Sequence, residues 1–206
     1  MVPMQLRIGV TGGIGSGKSY ICSLLGEKGY PVYDCDANAK RIMTTDSTTI
    51  ASLIHLLGPQ VYVSNSDASS GQRMLNKPFL ASYIFQSAHH VKQVNAIVHP
   101  AVKHDFLQWA SRQRSAIVFM ESAILFESGF NDVVDRVLLV QAPVNVRIQR
   151  AMQRDGVSSQ KIEERIKSQA TEQENVERAD DFLINDGQRD VNAQLDELLK
   201  KWKALL

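Results

Sequence analysis

Residues 6–19 read Leu-Arg-Ile-Gly-Val-Thr-Gly-Gly-Ile-Gly-Ser-Gly-Lys-Ser, and this stretch decides the fold. Its first six residues, Leu6 to Thr11, are mostly apolar or β-branched, which predicts a short buried strand. Gly12 to Ser19 matches G-x-x-x-x-G-K-[ST], a loop whose backbone N–H groups surround phosphate oxygens. A helix predicted from Ser19 to Lys28 adds unpaired N–H donors and the positive end of its dipole. The stretch therefore predicts a strand, a phosphate-binding loop and a helix in direct succession.

The residue types of this loop assign the first nucleotide-binding positions. We expect Lys18 to reach the β- and γ-phosphates of ATP and the Ser19 hydroxyl to ligate Mg²⁺. A chance glycine-rich turn would produce the bare pattern in roughly one chain in a hundred of this length, and the flanking strand and helix make chance rarer. We expect ATP contacts along the loop at Gly13, Ile14, Gly15, Ser16, Gly17, Lys18, Ser19 and Tyr20.

Composition and charge exclude several classes of protein. The chain has 206 residues, which fits one domain with insertions, and 23 Lys and Arg residues nearly balance 22 Asp and Glu residues. A strongly basic nucleic-acid binder would show an imbalance. A membrane span would need an apolar run of roughly 18 to 20 residues, and the chain has none. Cys22 and Cys35 lack metal-binding spacing. We expect a cytoplasmic monomer or weak homo-oligomer without nucleic-acid or membrane partners.

Short apolar runs alternate with helical patterns, which predicts an α/β fold with a mostly parallel five-stranded sheet. Two long segments break the alternation, because they are helical in pattern and lack a strong buried strand. We interpret the first as a helical insertion on the acceptor side and the second as a lid. The predicted strands are 6–11, 31–33, 117–120, 136–140 and 182–184, the core is 1–47, 110–143 and 179–206, the insertion is 48–109, and the lid is 144–178.

Two carboxylates follow the second predicted strand, where open α/β sheets bind their ligands. Asp34 and Asp36 are two residues apart, so in extended chain they face the same side. A carboxylate that positions an acceptor hydroxyl and accepts its proton assists phosphoryl transfer, and we assign this role to Asp36. Asp34 would shape the surroundings of Mg²⁺. The alternative is that Asp36 only caps a helix that begins at Ala37.

The remaining motifs favour a kinase of a small molecule over other phosphate-loop proteins. Residues 76–79, Asn-Lys-Pro-Phe, lack the aspartate of the N-K-x-D guanine-binding motif of GTPases. The strand at 117–120 is followed by Glu121-Ser122 where an ordinary ATPase has Asp-Glu. Two alternatives stay open: a kinase of another small acceptor, such as a nucleoside monophosphate, and a nucleotide-gated switch without enzymatic activity.

Arg147, Arg150 and Arg154 recur at spacings of three and four within the predicted lid, so they share one face of a helix. Arginines on a lid can close over the transferring phosphate and stabilise its charge in the transition state. The alternative is a solvated charged face. We expect Arg150 and Arg154 to contact ATP, leave Arg147 undecided, and assign Arg165 a structural role at the hinge of the lid.

The run from Thr11 to Ser19, followed by Asp34-Cys35-Asp36-Ala37-Asn38-Ala39-Lys40, resembles the T-G-G-I-G-S-G-K-S and D-x-D-x-x-A-[KR] signatures of dephospho-coenzyme A kinases. The likeness continues in the same order as far as Asn185-x-Gly187 and so spans nearly the whole chain. It implies a three-layer P-loop NTPase fold like that of nucleoside monophosphate kinases, with a helical acceptor-binding subdomain and a lid. It also implies transfer of the ATP γ-phosphate to the ribose 3′-hydroxyl of dephospho-CoA, the last step of coenzyme A synthesis.

The resemblance also implies roles for individual residues. Asp36 matches the proposed base of the family, and Lys18 and Ser19 match its phosphate and metal contacts; with Arg150, taken from the arginine spacing, Asp36 and Lys18 are the catalytic residues that we expect. Asn185 falls where the adenine-binding loop of such kinases lies. The expected acceptor contacts are Asp36, Arg73, His99, Glu121, Leu125 and Glu127. Ser122-Ala123 departs from the proline-containing pattern of the family, and a purely structural His99 is the alternative to one that contacts the acceptor.

Overall fold

The chain divides into two units in the computed structural model, which describes residues 5–64, 73–168 and 172–206. The first, here called the sheet unit, comprises the chain up to Asp34 together with Trp109–Leu206. The second, here called the helical unit, is Cys35–Gln108. The core, insertion and lid limits expected from the sequence stay predictions. None of the described helices is both long and apolar enough to cross a bilayer.

The strands are, in chain order, β1 (Leu6–Thr11), β2 (Val32–Asp34), β3 (Tyr62–Ser64), β4 (Arg73–Leu75), β5 (Ile117–Glu121), β6 (Arg136–Gln141) and β7 (Asp181–Ile184). Five of them form one sheet in the order β2-β5-β1-β6-β7, and every neighbouring pair in it is parallel. The predicted α/β fold with a five-stranded sheet is confirmed. β2 begins one residue later than predicted, because Pro31 has no N–H to donate to the ladder and contributes only its carbonyl, to Phe119 N.

The helices are α1 (Lys18–Glu27), α2 (Cys35–Thr45), α3 (Ser47–Leu57), α4 (Lys77–Ile84), α5 (Ala88–Ser111), α6 (Val144–Asp155), α7 (Ser159–Ser168), α8 (Glu172–Arg178) and α9 (Val191–Lys203). Single 3₁₀ turns occur at Pro59–Val61 and Phe130–Val133. The expectation that a helix begins at Ala37 is wrong by two residues, since α2 follows β2 without a connecting loop.

The core of the sheet unit explains the apolar runs of its strands. Ile8 and Val10 of β1 are fully buried and pack with residues of α1 and α9, including Leu25 and Trp202. Gly9 lies on the opposite face of β1, where the side chain of Leu125 lies against it. Both faces of the sheet are therefore covered, and strands buried on both faces are apolar at nearly every position.

A buried carboxylate joins the last strand to its neighbours. The side chain of Asp181 in β7 is 1% exposed and accepts hydrogen bonds from Arg136 Nε at 2.9 Å and Trp202 Nε1 at 2.8 Å. Lys201 Nζ donates to its other oxygen. Burial by itself raises the pKa of Asp181, but the three donors outweigh burial and hold it below the ordinary value. The ionised carboxylate thus ties β7 to β6 and to α9.

The helical unit contains α2 to α4, most of α5 and a short antiparallel pair, in which Tyr62 of β3 lies opposite Leu75 of β4. The sequence predicted no strand here, because three residues are too few to show an alternating pattern. Asp46 caps α3 by accepting a hydrogen bond from Thr49 N, and Asn76 caps α4 through Phe79 N. Pro100 lies inside α5, which continues to Ser111.

We expect Asp181→Ala to lower the free energy of unfolding by about 3 kcal/mol, the lower end of the cost of removing one partner from a buried ion pair. The lower end applies because the Arg136 and Lys201 side chains are 23% and 53% exposed and regain water. Urea denaturation measures the loss. The matched control is Asp196→Ala, which removes a 63% exposed partner of Lys28 and should change stability by less than ~0.5 kcal/mol.

The difference in stability between the parent protein and Asp181→Ala should also depend on pH. A carboxylate with a lowered pKa in the folded state stabilises the protein fully above its unfolded pKa, and this contribution is lost as pH falls through the folded pKa. The difference in stability between the parent and Asp181→Ala should therefore be constant near neutral pH and shrink below about pH 4. A difference that grew on acidification would contradict the assignment.

Candidate active site

Two glycines let the phosphate loop lie against neighbouring backbone and side-chain atoms. Gly15 and Gly17 have φ of 75° and 95°, a region that side chains disfavour. A Cβ at Gly15 would stand 2.2 Å from the carbonyl oxygen of Arg147, and one at Gly17 would stand 2.1 Å from Asn185 Nδ2. Any side chain at either position would therefore force the loop away from α6 or from the residue after β7.

The loop presents polar groups that suit a phosphate. Its last residues begin α1 at Lys18, so unpaired backbone donors lie at its end. The Ser16 residue is 1% exposed, and its hydroxyl has no hydrogen-bond partner among the described residues. Lys18 Nζ donates to Gly12 O at 2.7 Å. A buried hydroxyl without a partner is costly, so the Ser16 hydroxyl fits a bound phosphate oxygen that would satisfy it.

The side chain of Arg147 in α6 is buried against the phosphate loop. It is 5% exposed, its Nε donates to Ile14 O at 3.0 Å, and its guanidinium lies where a Cβ of Gly13 would otherwise stand. The solvated-face alternative therefore does not hold for Arg147. The buried guanidinium places a positive charge beside the backbone that would surround the phosphates.

Arg150, one turn along α6, joins the loop to the end of β7. Its NH1 donates to Asn185 O at 2.9 Å and its NH2 lies 3.4 Å from Asn185 Oδ1. Asn185 is 5% exposed, and its Nδ2 donates to Ser16 O at 2.9 Å. The structure thus brings together Arg150, Asn185 and the loop, three elements that the sequence places far apart.

Arg154 is not brought to the loop. Its side chain is 63% exposed, and its Nε donates to Asp155 at 2.7 Å. Arg165 NH1 donates to the same carboxylate at 2.9 Å, which joins α6 to α7. Arg154 therefore matches the solvated-face alternative in this structure, while the expected role of Arg165 at a hinge stays a prediction.

Side-chain oxygen atoms that could bind a cation lie at the carboxyl ends of β2 and β5, next to α1. Asp34 and Glu121 are register partners in the sheet, and Ser19 Oγ donates to Glu121 Oε1 at 2.7 Å. Among the described residues no group of three or more His, Cys, Asp or Glu side chains is placed to hold a metal. Mg²⁺ needs only one or two protein oxygens when phosphates and water supply the rest, so the residues present fit this ion.

A cavity of about 280 Å³ adjoins the loop within the sheet unit. Its wall includes Gly12, Gly13 and Ser16 of the loop, Glu127 after β5, Arg147 of α6, Lys167 of α7 and Asn175 of α8. The sequence interpretation missed Lys167 and Asn175, because their helices are charged on nearly every turn and no spacing distinguishes these two residues. Two cations beside the phosphate loop suit an anionic group.

Leu125 is not part of this wall. It is fully buried, and a Cβ at Gly9 would stand 2.7 Å from its Cδ1. The Leu125 side chain therefore packs in the core against β1, and the expected acceptor contact at Leu125 stays a prediction. Its neighbour Glu127 is exposed and reaches the cavity.

Three expected acceptor residues belong to the helical unit. Asp36 is exposed in the first turn of α2. The alternative role of Asp36 as the cap of a helix that begins at Ala37 is wrong, because α2 begins at Cys35 and already contains Asp36. His99 is partly buried in α5; burial and the nearby positive charge of Lys103 lower its pKa, so it is neutral at pH 7. Arg73 begins β4, and its side chain lies outside the described part of the structure.

Known proteins match this chain over nearly its whole length. The sequence model of the dephospho-CoA kinase family matches residues 6–190. The chain is 45% identical over 197 residues to a dephospho-CoA kinase of Bacteroides fragilis (strain YCH46), which covers 95% of this chain and 92% of that protein. A crystal structure of a Thermus thermophilus protein gives a TM-score of 0.77 at 34% identity, with 98% of each chain covered. A dephospho-CoA kinase from Campylobacter jejuni gives 0.63 at 21% identity, also with 98% of each covered, which supports the fold.

We expect Arg147→Ala to lower the free energy of unfolding by about 1.5–3 kcal/mol, since a buried charged hydrogen bond is lost and Ile14 O loses its donor. Arg154→Ala is the matched control on the same helix. Its side chain is mostly exposed, so its effect should stay within ~0.5 kcal/mol. Chemical denaturation of the three proteins makes the comparison, and equal effects of the two substitutions would contradict the supporting role of Arg147.

Proposed function

The chain belongs to the dephospho-CoA kinase family, and on that premise we propose that its phosphate loop binds ATP for transfer of the γ-phosphate to the ribose 3′-hydroxyl of dephospho-CoA. The products of this reaction are coenzyme A and ADP, and it is the last step of coenzyme A synthesis. The observation that carries the proposal within the structure is the loop, where an unpartnered buried hydroxyl, a lysine and a helix N-terminus meet.

ATP binding would use the residues that contact the loop. Lys18 would exchange its hydrogen bond to Gly12 O for the β- and γ-phosphates, and Ser16 would donate its hydroxyl to a phosphate oxygen. Arg150 and Asn185 hold each other beside the loop and would form one wall of the nucleotide site. Arg154 would reach the nucleotide only by leaving Asp155, so we assign it the weakest part in binding.

Ser19 and Glu121 would hold Mg²⁺, with Asp34 beside them. When bound, the ion would supply positive charge that neutralises the phosphate oxygens of ATP. The hydrogen bond between the Ser19 hydroxyl and the Glu121 carboxylate keeps both oxygens at the carboxyl edge of the sheet, next to the loop.

Asp36 would position the acceptor hydroxyl and accept its proton as the new bond to phosphorus forms. Its carboxylate is exposed at the start of α2, which leaves it accessible to a substrate. Phosphoryl transfer passes through a loose transition state in which little proton transfer has occurred, so orientation of the hydroxyl is the larger contribution. Glu127 and Arg147, on the cavity wall, would orient the groups near the reacting phosphate.

His99 and Arg73 stay proposed acceptor contacts. The cytoplasmic location and the oligomeric state expected from the sequence stay predictions.

Release of ADP with a panel of acceptors tests the proposed reaction. We expect rapid release with dephospho-CoA and release near background with AMP, CMP or adenosine. Lys18→Ala should lower turnover with dephospho-CoA by at least ~100-fold, since one preorganised charge on the transferring phosphoryl is lost. A faster reaction with AMP or CMP would favour a nucleoside monophosphate kinase. ADP release that is independent of any acceptor would favour a nucleotide-gated switch.

The variant Asp36→Asn keeps the size of the side chain but removes its charge. As the group that orients the hydroxyl and accepts its proton, Asp36 should contribute ~100- to 1,000-fold to turnover, while ATP affinity should be unchanged. The matched control is Asp190→Asn, because Asp190 is a true cap of α9 that accepts from Ala193 N. Asn caps nearly as well as Asp, so this control should be silent. Turnover of Asp36→Asn within a few-fold of the parent would refute the assignment.

A further inference from the structure

Of the two lysines of α7, Lys167 lines the cavity beside the phosphate loop and Lys161 does not. The cavity has a volume of about 280 Å³ and lies wholly within the sheet unit. Sites that enclose a whole small molecule span about 300–1,000 Å³, so this cavity is just below their range. It therefore suits one part of a larger ligand, such as a single phosphate group.

Two contacts hold α7 in the position that places Lys167 on the cavity wall. Ile162 is fully buried, and Ile166, one turn later, lines the cavity. Arg165 NH1 donates to Asp155 at 2.9 Å, which ties α7 to the last residue of α6. Since Lys167 directly follows Ile166 on a helix held in this way, its position on the wall is set by the packing of α7.

The cavity also contains a buried polar group that calls for a ligand. Ser16 of the phosphate loop lines the cavity and is 1% exposed. Its hydroxyl has no hydrogen-bond partner among the described residues. An unpaired buried hydroxyl costs free energy, so an occupant that offers an acceptor oxygen would be bound favourably. This observation is independent of Lys167 and points to an occupant of the same cavity.

The charges on the cavity wall favour an anionic occupant. Arg147 and Lys167 contribute two positive charges, and Glu127 contributes one negative charge. Over the described ranges of the chain, Lys167 forms no ion pair with Glu127 or with any other carboxylate. The ammonium group of a lysine is a compact charge with three donors on a flexible stem, so it can follow a phosphate oxygen as that oxygen moves.

Lys167 can turn to a phosphate at a lower cost than the other cations near the loop. Lys18 would have to leave Gly12 O, to which its Nζ donates at 2.7 Å. Arg150 donates to Asn185 O and does not line the cavity. Lys167 makes no hydrogen bond to the part of the chain that the structure describes, so it would give up only contacts with water.

We propose that Lys167 is a further catalytic residue, which contacts the transferring phosphoryl group of ATP; this proposal rests on the proposed function. A γ-phosphate that accepts a hydrogen bond from the Ser16 hydroxyl would lie in the cavity that Lys167 lines. The phosphate would then be held from two sides, by the loop and by α7. The second side completes only when the cavity is occupied, because Lys167 is exposed in the absence of a ligand.

The positive charge of Lys167 would act on the transfer without taking part in proton exchange. During transfer the bond between the γ-phosphorus and the bridging oxygen of ATP breaks, and its electron pair leaves with ADP. The new bond joins the phosphorus to the acceptor oxygen, whose proton passes to Asp36. Lys167 keeps its proton throughout and stabilises the negative charge on the oxygens of the phosphoryl group.

Replacement of Lys167 by Met removes the charge and keeps the length of the side chain. We expect Lys167→Met to lower kcat with dephospho-CoA by ~10- to 100-fold and to change the KM for ATP by less than ~3-fold, because a contact that strengthens in the transition state acts mainly on kcat. Lys167→Arg keeps the charge and should recover most of the rate. The matched control is Lys161→Met, which alters an exposed lysine about 120° away around the same helix and should keep the parent kcat.

Two kinetic results would overturn the proposal. One is a kcat of Lys167→Met within twofold of that of Lys161→Met. The other is an equal loss of kcat in Lys167→Met and Lys167→Arg, since a role of the positive charge requires that the arginine variant be faster.

Acetylation of the parent protein with acetic anhydride, followed by mass spectrometry of its peptides, tests the contact without any variant. Mg²⁺ and an ATP analogue with an imido group between the β- and γ-phosphorus should slow acetylation of Lys167 and leave that of Lys161 unchanged. ADP lacks the γ-phosphate and should protect Lys167 less. Equal acetylation of Lys167 with ADP and with the analogue would contradict the contact. If the parent protein transfers no phosphate to dephospho-CoA, the proposed function fails, while the acetylation result still decides whether Lys167 contacts the γ-phosphate.

Discussion

The close approach of the phosphate loop to α6 and to the end of β7 is the constraint on which the site depends. The loop can lie there only because Gly15 and Gly17 have no side chains. The contact brings Arg147 under the loop and Asn185 against Ser16. If an alanine replaced either glycine, its methyl group would displace the loop from these partners. The backbone donors of the loop would then no longer converge on one phosphate. Sterics at two positions thus control the electrostatics of the whole site.

The position of β7 matters for the same reason, since the residue that touches the loop follows it directly. The start of β7 is held by hydrogen bonds that Asp181 accepts from Arg136 of β6 and Trp202 of α9. Gln194 of α9 holds its end, because its side chain donates to the carbonyl and accepts from the N–H of Ile184. These two bonds satisfy the N–H and the carbonyl of Ile184 on the outer edge of the sheet, directly before Asn185. A single short strand therefore carries both the buried carboxylate and, directly after it, the residue that contacts the phosphate loop.

The sheet unit concentrates positive charge at the phosphate loop. The sheet unit gathers Lys18, Arg147 and Arg150 around a loop of backbone donors, as a triphosphate requires.

The sequence by itself determined the parallel α/β fold, the phosphate loop and the family, because these follow from local patterns: apolar strands, glycines at fixed spacing, and a lysine and serine at a helix start. It could not determine which arginine of α6 approaches the loop. Arg147, Arg150 and Arg154 share one helical face by spacing, yet one is buried under the loop, one is bound to Asn185 and one is exposed beside Asp155. Likewise Leu125 fills the core, while Lys167 and Asn175 line the cavity. Only the tertiary structure decided these positions, because burial and partners depend on contacts between residues far apart in the chain, which no local pattern records.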